Sequence, residues 1–234
     1  MNKKIVVKGL LLFTIMLLQT SISYSQIVKS YGFKIGSTIS SIKVKEVQHI
    51  VGNSLYVLVL DQYNDQLISP AITAWAKIVD TELLSLEIEV SYLYKGSSNS
   101  TDIVITSPDN PDGTGNKEKY KYSQRFEYIQ IGINPQIKYN FGGIMAYGIV
   151  GPTISYLVDY ENTLMIKDKR KDLTFGYNFG LGIDFSNVWK GLFIEAKYNG
   201  DFTEFYNFES KMSGSSTSYE LWNKVFLINI GYRL

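Results

Sequence analysis

His49 is the only histidine of the chain. Beside a serine and a carboxylate at the mouth of a barrel it would serve hydrolysis or acyl transfer as a general base. The plainer reading is a solvated histidine of the first long loop, since geometry and not residue type decides a catalytic role. Glu87 and Glu89 are two carboxylates at alternate positions. On a strand they share one face about 7 Å apart, a spacing open to acid–base work. The competing reading makes them enclosed charges that need cationic partners. Asp102, Asp109, Asp112 and Glu118 crowd one polar stretch. Asp109-Asn-Pro-Asp-Gly113 suggests Ca²⁺ but lacks the ligand spacing of a calcium loop. Its residue types each favour a turn instead. Phe202, Phe205, Tyr206 and Phe208 form an aromatic cluster near the end of the chain. It would contact lipopolysaccharide, a partner or a ligand, or pack against other loops as a cap, and the sequence leaves both open. No Gly-rich phosphate loop and no cysteine is present. No catalytic site, metal site or cofactor is therefore expected, and the chain reads as non-enzymatic.

The elements that would position these residues begin after a targeting segment. Lys3, Lys4 and Lys8 precede an apolar run over 9–18, and Ser23 and Ser25 occupy the −3 and −1 positions of a cleavage site before Gln26. This predicts a secretory signal peptide over 1–25 and a single barrel domain over 26–234. The whole chain carries a net charge of +1, and loss of those three lysines leaves it slightly acidic. That balance argues against a nucleic-acid partner.

Beyond residue 25 the pattern alternates with period two, the mark of strands with two different faces. Over 173–185, Leu173, Phe175, Tyr177, Phe179, Leu181, Ile183 and Phe185 alternate with small or polar residues. Residues 84–94, 129–139 and 226–234 repeat the rhythm. Weaker strands are expected near 30–41, 70–79, 144–158 and 191–199, with the phase of 144–158 ambiguous. Pro135 and Pro152 each remove a ladder donor, which predicts a bulge or frayed pairing. Connections at 80–82, 140–143 and 186–190 are tight, whereas 42–69, 95–124, 159–172 and 200–223 are long and polar. Short turns on one side and long loops on the other give an eight-stranded, antiparallel, up-and-down transmembrane β-barrel. The turns and both termini would face the periplasm.

Alternation does not say which face is outside, since a lipocalin-like barrel has the same period turned inside out. The polar face carries charges of both signs: Lys34, Lys77, Glu87, Glu89, Lys138, Asp184, Glu195, Lys197 and Arg233. A small lumen can enclose such a set as an internal network. Tyr31, Tyr94, Tyr139, Tyr156, Tyr198 and Tyr232 fall near strand ends, as interfacial girdles do. The apolar face is therefore placed outward, against lipid. Interior glycines would make room for Trp75, Tyr128 or Phe193. A lumen of this size is filled by its side chains, so a monomeric structural or interaction barrel is expected. A narrow channel, a small-ligand barrel or a barrel lipid hydrolase are the alternatives. The expected partners are outer-membrane lipid and envelope or extracellular proteins at the loops.

Short motifs also resemble a known family, the PorT-like outer-membrane β-barrel proteins. They are Tyr31-Gly-Phe-Lys-Ile-Gly-Ser-Thr-Ile-Ser40, LEIEVSYLYKG over 86–96, Tyr128-Ile-Gln-Ile131 with Lys138-Tyr139, Gly151-Pro152 with Tyr156-Leu157, Gly180-Leu-Gly182 and Ile230-Gly-Tyr-Arg-Leu234. The resemblance spans most of residues 28–234 and implies the same barrel. Gly132 and Leu234 depart from it, where the family often has Pro and usually ends in Phe.

Overall fold

The computed structural model describes residues 28–49, 66–104, 117–161, 170–185, 188–212 and 215–234. The signal segment, Asp109 and Asp112 lie outside them. The described chain is built of strands: β1 (Ser30–His49), β2 (Leu67–Asp80), β3 (Leu84–Val104), β4 (Lys117–Asn140), β5 (Met145–Glu161), β6 (Leu173–Asp184), β7 (Leu192–Asp201), β8 (Tyr206–Met212) and β9 (Ser215–Arg233). β1 to β7 pair antiparallel in sequence order, β9 pairs antiparallel with both β7 and β8, and β1 also pairs with β9, which closes the sheet.

The ninth strand does not add a stave to the barrel. β1 fills one edge of β9 from Thr217 to Arg233. β7 occupies the other edge up to Gly200↔Lys224, and β8 resumes there at Tyr206↔Leu221. β7 and β8 are thus one stave interrupted by a short excursion, and the barrel is eight-stranded with one additional strand segment.

The strands run further than the apolar alternation. Residues 42–49 continue β1, 95–104 and 117–124 extend the β3–β4 hairpin, and the expected loop 200–223 contains β8 and the start of β9. His49 is corrected from a loop residue to the last residue of β1, opposite Thr217. Asp102 and Glu118 likewise belong to β3 and β4, opposite Lys119 and Ile103. These extensions project from one end, the extended end. The other end is closed by turns at 81–83, 141–144 and 188–191.

Side chains settle the faces. Ile35, Ile72, Ile137, Val150, Leu181 and Ile230 are exposed on the outer wall, whereas Lys34, Glu87, Glu89, Asn134, Glu195 and Lys197 are buried inside. Contiguous exposed apolar surface on this scale has no place in water, so lipid is the solvent of the outer wall. Tyr31, Tyr139, Phe141, Trp189 and Tyr232 ring the turn end, and Tyr156 and Phe202 lie toward the extended end. The ambiguous β5 faces Tyr147 and Ile149 inward and Val150, Ile154 and Tyr156 outward.

Both prolines fall at one interruption. The β4–β5 ladder passes from Gly132↔Thr153 to Gln136↔Ile149, leaving Pro135 and Pro152 in the unpaired interval. Two missing donors on facing strands account for it. Glycines admit two of the large lumen rings. A Cβ on Gly231 would stand 2.1 Å from the Phe193 ring, and one on Gly32 would stand 2.9 Å from Trp75.

Candidate functional site

Inward positions of successive strands stack in layers along the lumen. At the turn end, Lys138 pairs with Asp80 at 2.7 Å, and Arg233 pairs with Asp184. These groups line a polar mouth of about 360 Å³. Asp80 faces inward because the β2–β3 register shifts by one residue between Lys77 and Val79. Above it, Trp75 meets Phe193 edge-on at 5.5 Å, beside Tyr147 and Ile149. The Lys77 ammonium lies 5.7 Å and 5.8 Å from the Trp75 and Tyr147 ring centres, close enough for cation–π attraction.

The next layer is a fully enclosed ion network. Lys34 Nζ donates to Glu87 at 2.6 Å, to Glu89 at 3.2 Å and to Glu195 at 3.0 Å. Lys197 Nζ reaches Glu89 at 2.6 Å and Glu195 at 3.0 Å. Tyr147 donates its hydroxyl to Glu195 at 3.3 Å. Two ammonium groups thus serve three carboxylates drawn from β3 and β7, and every lone pair so engaged reduces the penalty of burying charge. Glu87 and Glu89 bind lysines rather than standing free for proton transfer. Toward the extended end, the Asn178 amide donates to Asn134 at 2.8 Å. Lys95 then reaches Asp201 at 2.9 Å and Ser155 at 3.1 Å, over the Tyr128 ring.

Asp80, Lys95 and Asp201 were not among the expected lumen charges. Lys95 and Asp201 continue the inward phases of Glu87–Glu89 and Glu195–Lys197, so extending the alternation would have found them. Asp80 is turned inward only by the bulge. With them, the lumen cations Lys34, Lys77, Lys95, Lys138, Lys197 and Arg233 are matched in number by Asp80, Glu87, Glu89, Asp184, Glu195 and Asp201.

An apolar plug closes the extended end. Phe126, Phe205, Leu93, Leu157 and Leu221 are buried together, and Phe126 meets Phe205 at 5.1 Å. The excursion between β7 and β8 builds it. Phe202 N donates to Phe175 O at 2.7 Å, and Phe205 N donates to Leu221 O at 2.9 Å. The bonds hold Phe202 on the outer wall and swing Phe205 inside. Nearby, Lys171 bonds Glu204 and holds its carboxyl below the usual carboxylate range. The four aromatics therefore do not form one outward patch. Phe205 and Tyr206 are buried, Phe202 is exposed beside Tyr177, and Phe208 belongs to β8. Phe205→Ala is expected to lower the unfolding free energy in lipid vesicles by about 3–5 kcal/mol, the cost of emptying a packed aromatic site. A urea titration read by gel mobility checks it, and an unchanged midpoint would contradict the packing.

The sequence matches the outer membrane protein beta-barrel domain over residues 12–233. The chain belongs to that family. No curated protein sequence matches it. Among solved structures, the barrel is similar to Ail of Yersinia pestis, at 13% identity and TM-score 0.42, covering 88% of this chain and 98% of that one. It is also similar to OprG of Pseudomonas aeruginosa, at 11% identity and TM-score 0.46, covering 89% and 98%. A third is the outer membrane protease OmpT of Escherichia coli, at 11% identity and TM-score 0.37, covering 88% and 97%. Family membership places the barrel in the bacterial outer membrane. Among the described residues no cluster of His, Cys, Asp and Glu could hold a metal ion.

Proposed function

We propose that this barrel is a monomeric, non-conducting and non-enzymatic membrane scaffold. It presents the extended ends of β1, β3–β4 and β8–β9 to the cell exterior, where envelope or extracellular proteins would contact it. The turn end and both termini then face the periplasm, after export and removal of residues 1–25. Within the family it reads as PorT-like on the motifs of its strands.

The observation that carries this reading is the double closure of the lumen. The Lys34–Glu87–Glu89–Glu195–Lys197 network fills its middle, and Phe126, Phe205 and Leu221 fill its extended end. An ion would have to break buried pairs and then cross apolar side chains. A narrow channel is the second reading. Asn199 and Asn229 favour it, since both polar atoms of each buried amide lack a protein partner. Planar-bilayer recording separates the two. Purified barrel is expected to give no stable conductance steps. Steady steps whose size changes in a Lys197→Gln variant would overturn the closed-lumen reading.

A further inference from the structure

Charge is balanced over the lumen as a whole but not layer by layer. In the enclosed network two lysines meet three carboxylates, an excess of one negative charge. At the turn end Lys138 pairs with Asp80 and Arg233 with Asp184, and Lys77 is left over. Lys77 is 4% exposed and rests on the Trp75 and Tyr147 rings. Its ammonium has no ion pair or hydrogen bond among the described residues. It lies behind the mouth, within electrostatic reach of Asp80, Lys138 and Arg233. The paired cations also have donors to spare. Lys138 engages one of its three, and Arg233 bonds through Nη2 while its buried Nε has no partner. Lys138 and Arg233 converge on the mouth of about 360 Å³, which Thr81, Asn140 and Met145 also line. That volume suits a small-molecule site. Glu82 stands at its rim, exposed to solvent.

We infer that the turn-end mouth binds a carboxylate, carried by a free organic acid or by the carboxyl terminus of a peptide. That the ligand arrives from the periplasm rests on the orientation proposed above. The carboxylate accepts from Arg233 Nε and from the spare donors of Lys138, and its charge offsets that of Lys77 behind them. Charge selects the class. The excess is one cation, so a monoanion cancels it. A phosphate dianion meets Asp80, Asp184 and Glu82 around the same opening, and like charges brought together at a contact are costly. Met145 gives the group next to the carboxylate an apolar wall. The ligand goes no further, because the ion network and the apolar plug fill the lumen beyond.

The test titrates the isotopically labelled full barrel in detergent micelles with N-acetyl-alanyl-alanine, its carboxyl-terminal amide and acetate, read by NMR. The reporters are the Trp75 indole beside Lys77 and the amide of Gly142, which donates to Asn140. Both carboxylates are expected to shift the two signals saturably, and the amide to leave them in place. Tighter binding of the dipeptide than of acetate assigns the site to peptide ends, and equal binding assigns it to free acids. Arg233→Gln is expected to bind about tenfold more weakly, the loss of a charge-assisted hydrogen bond. Lys77→Met removes the excess charge and is expected to bind several-fold more weakly. Glu82→Gln removes an acid from the same rim and is expected to bind at least as tightly as the parent. Equal binding of the amide, or undiminished binding by both cation variants, overturns the site. A gel mobility shift on each variant shows that it is still a barrel. Because binding is measured on purified protein, its failure is distinct from a wrong orientation, which protease access to the extended end on intact cells would reveal.

Discussion

Lys34→Met is expected to be the most damaging single substitution among the lumen charges, lowering the unfolding free energy by about 3–5 kcal/mol. The methionine fills a similar volume, so the loss comes from charge rather than from a cavity. Three enclosed carboxylates lose a shared cation. Glu89 and Glu195 still have Lys197, but Lys34 is the only cation paired with Glu87 among the described residues. Glu87 is therefore the group left stranded. Removing its charge in the same background, as Lys34→Met/Glu87→Gln, is expected to recover most of the loss. Urea midpoints in lipid vesicles would measure Lys34→Met, Glu87→Gln and the double variant. A double variant as unstable as the sum of the singles would show that the pair is not coupled. Unchanged stability of Glu87→Gln together with Glu89→Gln would show that the network contributes nothing.

The outer wall makes an equally sharp prediction. Val150 is 62% exposed near the middle of the outward run of β5, among Gly148, Pro152 and Ile154. In water, an exposed Val→Arg change of this kind is worth less than about 0.5 kcal/mol. Facing the hydrocarbon midplane it is expected to cost about 2–4 kcal/mol. Val150→Arg reconstituted in vesicles should therefore unfold at a urea midpoint lower by roughly 1 M or more, while its β-sheet signature is unchanged. An unaltered midpoint in vesicles would mean that the wall does not face lipid.

The parts of the fold that lipid dictates were legible in the sequence, because lipid on one side and a polar lumen on the other force strict alternation. That is why 173–185, 84–94 and 129–139 read clearly, and why Glu87, Glu89, Glu195 and Lys197 could be assigned inward. Beyond the bilayer, lipid no longer forces one face of a strand to be apolar. Ser97–Thr101 and Lys117–Gln124 then carry no alternation, and their composition reads as loop although they pair as strands. The pairing of Lys34 with three carboxylates was equally hidden. It depends on which strands meet across the lumen, and a period of two says nothing about that. Bulges hide more. The shift beside Lys77 turns Asp80 inward, and the excursion at 202–205 sends Phe202 and Phe205 to opposite sides of the wall. The long-loop aromatics offered both a contact surface and a cap, and only this local geometry separates them.

The central claim is a closed barrel embedded in the outer membrane. Its most direct test is heat-modifiability of the protein in separated membrane fractions, comparing unboiled with boiled samples by gel electrophoresis. A closed barrel kept intact by its ladder and its lumen pairs is expected in the outer-membrane fraction, with a mobility that changes on boiling. Recovery as a soluble periplasmic protein with unchanged mobility would contradict it.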